Sequence, residues 1–289
     1  MSKTEKLTLA LAMITAAGAA AADGVTYSKA EASYFNIEED DITSLNGDID
    51  YVTGQLSFTG SASLVSYEGE DASVVRGTAG YAIVPGMTVY ALLSVINAEG
   101  GYDDTSYGLG AEYQTGDYGI ALQYETIDDA DVDGLSLAGF YGFGASTVYG
   151  FATDLDYDTF DDTYYALGYK YDAAAFEVNV ATAWYEGDFD TGLTAIGGEY
   201  NATQDFTVLA SVVSTNEDYL EDGLLTIGGR YALNDSTSLE ANYGTAFGDI
   251  DGDGFSLALT FETGARRLRV MDQVEDFASD TTPLFDILN

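Results

Sequence analysis

Histidine and cysteine are absent from this chain of 289 residues, and proline occurs only twice. Without cysteine there is no disulfide framework and no thiolate metal site. Without histidine or cysteine the usual nucleophile–base pairs of hydrolases are excluded, although an active site made of aspartates alone stays open. The low proline content suits long paired strands, because proline cannot donate to a strand ladder.

Basic residues are also scarce: 9 Lys and Arg stand against 49 Asp and Glu, which gives a formal net charge of -40. Such an acidic chain repels phosphate groups, so nucleic acid is excluded as a partner. Mean hydropathy is -0.01. The one long apolar run lies at the N-terminus, so the sequence does not predict a helical membrane protein.

Residues 1–22 have the pattern of a secretory signal peptide. Two lysines precede a short apolar core, Leu7–Ala16, and Ala20 and Ala22 form a small-residue cleavage site before Asp23. A buried N-terminal helix is the alternative. An exported chain with no later apolar stretch can cross a membrane only as a closed barrel. If the mature chain spans a membrane, it is therefore expected to do so with β-strands.

Side chains alternate strictly over the hairpin Asp162–Glu186. One face carries the apolar and aromatic residues Tyr165, Leu167, Tyr169 and Tyr171 in its first half, and the other carries small or polar ones. The alternation recurs along the chain, with short turns alternating with longer acidic connections. We therefore predict, for residues 23–262, an all-β fold: a closed antiparallel transmembrane β-barrel of about 16 strands, or about 14 if the region Asp48–Tyr67 is read differently. A soluble barrel with a polar exterior is the alternative.

Aromatic residues flank the predicted short turns and form one interfacial girdle: Tyr113, Tyr118, Tyr171, Phe176, Tyr200 and Phe206. With this architecture the chain resembles the general porins of the bacterial outer membrane, in the acidic form found in alphaproteobacteria. The resemblance implies an outer-membrane location in contact with lipid, passive diffusion of small hydrophilic solutes or ions, a homotrimer, and no required cofactor.

The chain departs from the porin pattern in two places. The third outer connection, Asn97–Asp104, is short, whereas general porins have a long loop there that folds into the lumen. The last strand has the expected aromatic residue, Phe261, near its end, but a tail, residues 263–289, follows the strand. In general porins the long loop forms the constriction of the pore, and an aromatic residue at the C-terminus is the signal for insertion. The short connection and the tail depart from these two features.

The face opposite the apolar one is predicted to line the pore. Its charged members are Lys29, Glu31, Arg76, Glu112, Glu125, Lys170, Glu177, Glu199, Arg230, Glu240 and Glu262. Carboxylates outnumber bases, which predicts cation selectivity. Small residues on the same face, such as Gly110 and Gly168, predict an open lumen. The strand order further suggests a basic wall, with Lys29, Arg76 and Arg230, facing an acidic wall, with Glu112, Glu125 and Glu177.

The segment Asp249–Gly254 has carboxylates at alternate positions: Asp249, Asp251 and Asp253. This is the spacing with which an EF-hand loop begins, but the bidentate glutamate that closes such a loop is missing. The residues therefore predict either a calcium site in an outer loop or a solvated acidic surface.

The tail begins with three arginines, Arg266, Arg267 and Arg269, followed by an amphipathic stretch. Its basic residues would meet an acidic pore mouth, so the tail is expected as a short helix in the periplasm, as a segment inside the lumen, or as an unpaired flexible end.

Two other functions compete with that of a channel. One is a non-conducting structural or adhesive outer-membrane barrel whose lumen is filled. The other is a secreted acidic β protein that binds calcium. The sequence indicates no catalytic constellation, so we do not expect an enzyme.

Overall fold

The computed structural model describes residues 24–37, 40–67, 70–98, 102–128, 130–157, 160–217, 219–249 and 251–280. The predicted signal peptide, residues 1–22, lies outside these ranges.

Sixteen antiparallel strands form one closed barrel in which each strand pairs with its sequence neighbours and β1 pairs with β16. This confirms the predicted fold class and settles the strand count. The strands are β1 Val25–Ile37, β2 Asp40–Thr53, β3 Leu56–Tyr67, β4 Glu70–Val84, β5 Met87–Ala98, β6 Tyr102–Gln114, β7 Tyr118–Ile127, β8 Val132–Phe143, β9 Ser146–Tyr157, β10 Phe160–Ala173, β11 Phe176–Tyr185, β12 Asp188–Asn201, β13 Phe206–Thr215, β14 Gly223–Asn234, β15 Thr237–Phe247 and β16 Asp253–Gly264.

The period-two pattern explains why these segments form the barrel. On β7, Ile120 and Leu122 point outward and are 51% and 52% exposed, whereas Ala121 between them points inward and is 1% exposed. The paired strand β8 repeats this arrangement with Leu137 outward and Ala138 inward, in register with Leu122 and Ala121. The outer face is therefore a band of apolar and aromatic side chains.

Between Asp48 and Tyr67 the predicted strand limits were wrong. A strand predicted over Asp48–Phe58 is interrupted, because β2 ends at Thr53 and β3 begins at Leu56. Gly54 adopts a φ of 60°, a conformation that glycine takes without steric cost and that a tight turn requires. The turn yields the hairpin that brings the total to sixteen.

The outer connections are shorter than predicted because most of their acidic residues extend the strands. Strand β2 starts at Asp40 and β4 at Glu70, inside segments predicted as loops. Neighbouring hydroxyl groups accommodate the carboxylates: Tyr67 Oη donates to Asp40 Oδ2 at 3.1 Å. Because aspartate is depleted in strands in general, the sequence did not predict that acidic residues such as Asp40 would lie in strands.

After β16 the chain folds back into the barrel. Gly264 has a φ of 87°, and the N–H of Ala265 donates to the carbonyl of Thr26 at 2.9 Å. A helix of eleven residues, α1 Val270–Asp280, follows inside the lumen. No helix in the described ranges is both long and apolar enough to cross a membrane.

Candidate functional site: the lumen and its tail helix

The tail helix, α1, lies inside the barrel against strands β6 to β9. Its buried face consists of Val270, Met271, Val274 and Phe277, whose spacing places them on one side of a helix. Val270 is 0% exposed and Met271 is 1% exposed. Removing each such side chain from water stabilises the docked position by about 1.5–3 kcal/mol.

The wall beneath the helix is made of small inward-facing residues. Ala121 and Ala138 contact Val270, Met271 and Val274 in one apolar cluster. A Cβ added at Gly119 would lie 2.7 Å from Val270 Cγ2, closer than real contacts allow. The absence of a side chain at position 119 therefore makes room for both the Phe140 ring and the helix.

Farther along the helix, Phe277 is held by aromatic and glycine contacts. Its ring stacks on Tyr149 with centroids 4.5 Å apart, and a Cβ on Gly168 would overlap it. Gly110 likewise lies under the ring of Tyr90. At Gly110 and Gly168 the predicted open space is filled by side chains of the wall and the tail, whereas Ala258, a small residue on the same inward face, borders a cavity.

Two wall carboxylates bind the backbone where the tail enters the lumen. Glu112 Oε2 accepts a hydrogen bond from the N–H of Val270 at 2.9 Å, and Asp50 Oδ2 accepts one from the N–H of Arg267 at 2.9 Å. The first N–H groups of a helix have no partner within it and attract negative charge. Glu112 thus caps the tail helix from the barrel wall.

The tail arginines make further contacts at this end. The Arg269 guanidinium lies 4.9 Å from the centroid of the Tyr90 ring and pairs with Asp272. Asp272 also accepts a hydrogen bond from the N–H of Arg269, which is the reciprocal half of a capping box. Arg266 lies over the Tyr27 ring at 5.9 Å. These contacts fix the start of α1.

The other side of the lumen contains a polar cavity of about 300 Å³, lined by strands β1, β2 and β11 to β16. Six predicted pore-lining residues border it: Lys29, Glu31, Glu199, Arg230, Glu240 and Glu262. Serine and asparagine side chains make up much of the remaining lining. The lumen therefore has an apolar side that holds the helix and a charged side that is open.

Basic residues on the charged side are paired with nearby carboxylates. Lys29 Nζ lies 3.2 Å from Glu31 Oε2, and Arg230 lies 3.2 Å from Glu199 and 2.8 Å from Glu240. Arg230 and Glu240 are direct cross-strand partners, the arrangement in which opposite charges interact best on a sheet. The expected separation into a basic wall and an acidic wall is replaced by pairs of opposite charge.

Asparagines orient two of these carboxylates. Asn242 Nδ2 donates to Glu240 Oε1 at 2.8 Å, and Asn179 Nδ2 donates to Glu177 Oε1 at 3.0 Å. Glu177 also pairs with Lys170 at 2.6 Å. The repeated Glu-x-Asn spacing on β11 and β15 is the sequence signal for this arrangement.

The remaining predicted site residues lie elsewhere. Glu125 accepts hydrogen bonds from the wall residues Ser106 and Gln123. Arg76 borders a cavity of about 100 Å³ beside the tail, together with Asp48, Asp50, Arg266, Arg269 and Asp272. Asp50 and Tyr90, which contact the tail, were not among the predicted site residues, because nothing in their own strands distinguishes them.

The three aspartates of the predicted calcium site are not gathered into a metal centre. In the described part of the chain, no group of three or more acidic side chains is arranged so that it could hold a metal ion. Asp253 Oδ2 accepts a hydrogen bond from the Tyr243 hydroxyl at 3.1 Å. Calcium binding at Asp249, Asp251 and Asp253 stays a prediction of the sequence.

No protein-family model and no curated protein matches the sequence. Solved structures do match. A triple mutant of the Rhodopseudomonas blastica porin aligns with a TM-score of 0.53 and 14% identity, over 83% of this chain and 99% of that one. Pseudomonas aeruginosa OccK8 (OprE) aligns with a TM-score of 0.57 and 10% identity, over 84% of this chain and 99% of that one. At such identities the likeness shows the fold, which is that of the porins, and it confirms the predicted resemblance.

Proposed function

We propose that this protein is a porin-type channel of the bacterial outer membrane, through which small hydrophilic solutes and ions diffuse passively. The observation that carries the proposal is the polar cavity of about 300 Å³ inside a closed barrel whose outer face is apolar. An apolar outside and a polar inside are the reverse of a soluble barrel and suit a water-filled passage through lipid. No catalytic step and no cofactor are assigned.

The charge of the open side supports a preference for cations. Among the residues that border the polar cavity, the bases are Lys29 and Arg230, and the carboxylates are Glu31, Glu199, Glu240 and Glu262. Each base is already neutralised by a neighbouring carboxylate, so the excess charge facing the passage is negative. Carboxylates around a pore attract cations and repel anions.

A second candidate, the non-conducting structural barrel, is favoured by one observation: the tail helix occupies part of the lumen. The secreted soluble protein is disfavoured, because side chains such as Leu109, 68% exposed, would place a large apolar band in water. A homotrimer is proposed from the porin resemblance, and the mass of the complex in mild detergent would test it.

Liposome swelling tests the channel. Vesicles that contain the purified protein are mixed with neutral sugars of increasing size, and the influx of sugar and water is followed by light scattering. We expect swelling with the smallest sugars and a sharp loss as size increases. Vesicles without protein are the control, and equal behaviour of the two would favour the structural barrel.

A further inference from the structure

We propose that the tail helix is the constriction of this channel and sets the size of the solutes that pass. This inference rests on the proposed channel function and deepens it. It assigns to α1, with the entry segment Arg266–Arg269, the narrowing role that the short connection between β5 and β6 is too small to fill.

The position of the helix is the first reason. A helix with its side chains is about 10–12 Å across. A barrel of 16 strands would otherwise enclose an aqueous channel. Because α1 contacts β6 to β9, it narrows that side of the lumen, and the polar cavity of about 300 Å³ lies on the opposite side. A solute that passes through this cavity passes Arg230 and its two carboxylates.

The wall itself is the second reason. Channel interiors are polar, yet the inward faces of β7 to β9 carry Ala121, Ala138, Phe140, Tyr149 and Phe151. Without the helix these side chains would be exposed to water in the lumen. With it, Ala121 and Ala138 are each 1% exposed. The strip is therefore complementary to the apolar face of α1.

The attachment of the tail is the third reason. Apolar contacts bury Val270 and Met271, and wall carboxylates bind the backbone N–H groups of Arg267 and Val270. The helix is thus held both along its length and at its start. Such a segment narrows the pore as a resident part of the lumen, rather than by brief visits from outside.

Single-channel recording on full-length variants tests the proposal. Met271→Asp places a charge in the fully buried contact and should release the helix, so we expect single-channel conductance to rise several-fold and larger sugars to enter liposomes. Gln273→Asp adds the same charge at a half-buried position of the same helix and should leave both properties close to those of the unmodified protein. Heat-dependent gel mobility verifies that each barrel has closed.

The outcomes separate this inference from the proposed function. Equal conductance of the unmodified protein and Met271→Asp would overturn the constriction and leave the channel intact. Absence of conductance from all forms would overturn the channel itself.

A labelling measurement gives a second test that does not depend on releasing the helix. Because the chain has no cysteine, Val274→Cys introduces a single thiol on the buried face. We expect it to react with a small water-soluble thiosulfonate much more slowly than Ala258→Cys, which borders the open cavity. Equal rates would show that the tail does not reside in the lumen and would contradict the proposal.

Discussion

Glu112 and Val270 lie 158 positions apart in the chain and are joined by a hydrogen bond of 2.9 Å, in which a carboxylate of the barrel wall accepts the first N–H of the tail helix. The sequence predicted that Glu112 faces permeating ions. In the structure it is 6% exposed and serves as a helix cap. This bond therefore holds the start of the tail helix against the barrel wall, and the position of that helix determines the shape of the lumen.

Glu112→Ala should loosen the tail. It leaves the N–H of Val270 without its acceptor, which costs about 1–3 kcal/mol. Because about 1.4 kcal/mol corresponds to a factor of ten in an equilibrium, trypsin should cleave the tail after its arginines roughly five to one hundred times faster. Glu125→Ala is the matched control, since Glu125 accepts hydrogen bonds from the wall residues Ser106 and Gln123. Identical cleavage rates for the two variants would exclude the capping role.

Arg230→Gln should increase the preference for cations. The substitution removes a positive charge from the border of the polar cavity and leaves Glu199 and Glu240 without their cation. Reversal potentials under a salt gradient measure the change. Arg76→Gln removes an equal charge beside the tail, away from that cavity, and should have a smaller effect. If Arg76→Gln had the larger effect, the passage would run elsewhere.

Leu167→Arg should impair insertion. Leu167 is 56% exposed on the outer face, so the substitution would place a charge in lipid at a cost of about 2–4 kcal/mol near the middle of the bilayer. Ala258→Arg adds the same side chain to the border of the polar cavity and should be tolerated. The fraction that folds into vesicles, read from heat-dependent gel mobility, compares the two. Equal insertion would mean that the outer face is not in contact with lipid.

The barrel could be predicted from the sequence because the alternation of inward and outward side chains depends only on consecutive residues within a strand. Leu167 faces outward and Gly168 inward only because they are consecutive in a strand, and the same alternation recurs in every strand. Strand boundaries were less predictable. Whether Gly54 lies in a turn and Asp40 in a strand depends on which neighbouring segments pair with them.

The position of the tail could not be predicted for a different reason. An amphipathic helix such as that of Met271 and Phe277 fits any apolar surface, and its partners Ala121, Ala138 and Gly168 come from three separate strands. Small inward residues can mean either open space or room for another segment. Only the closed barrel shows that these three face the tail.

The reversal potential of the full-length protein in a planar bilayer, measured across a gradient of potassium chloride, tests the central claim most directly. Charges on the wall act on a passing ion within about 10 Å at 0.1 M salt and over shorter distances at higher salt. We therefore predict a steady conductance with cation preference that weakens as the salt concentration is raised. A preference for anions at low salt, or no conductance at all, would contradict the account.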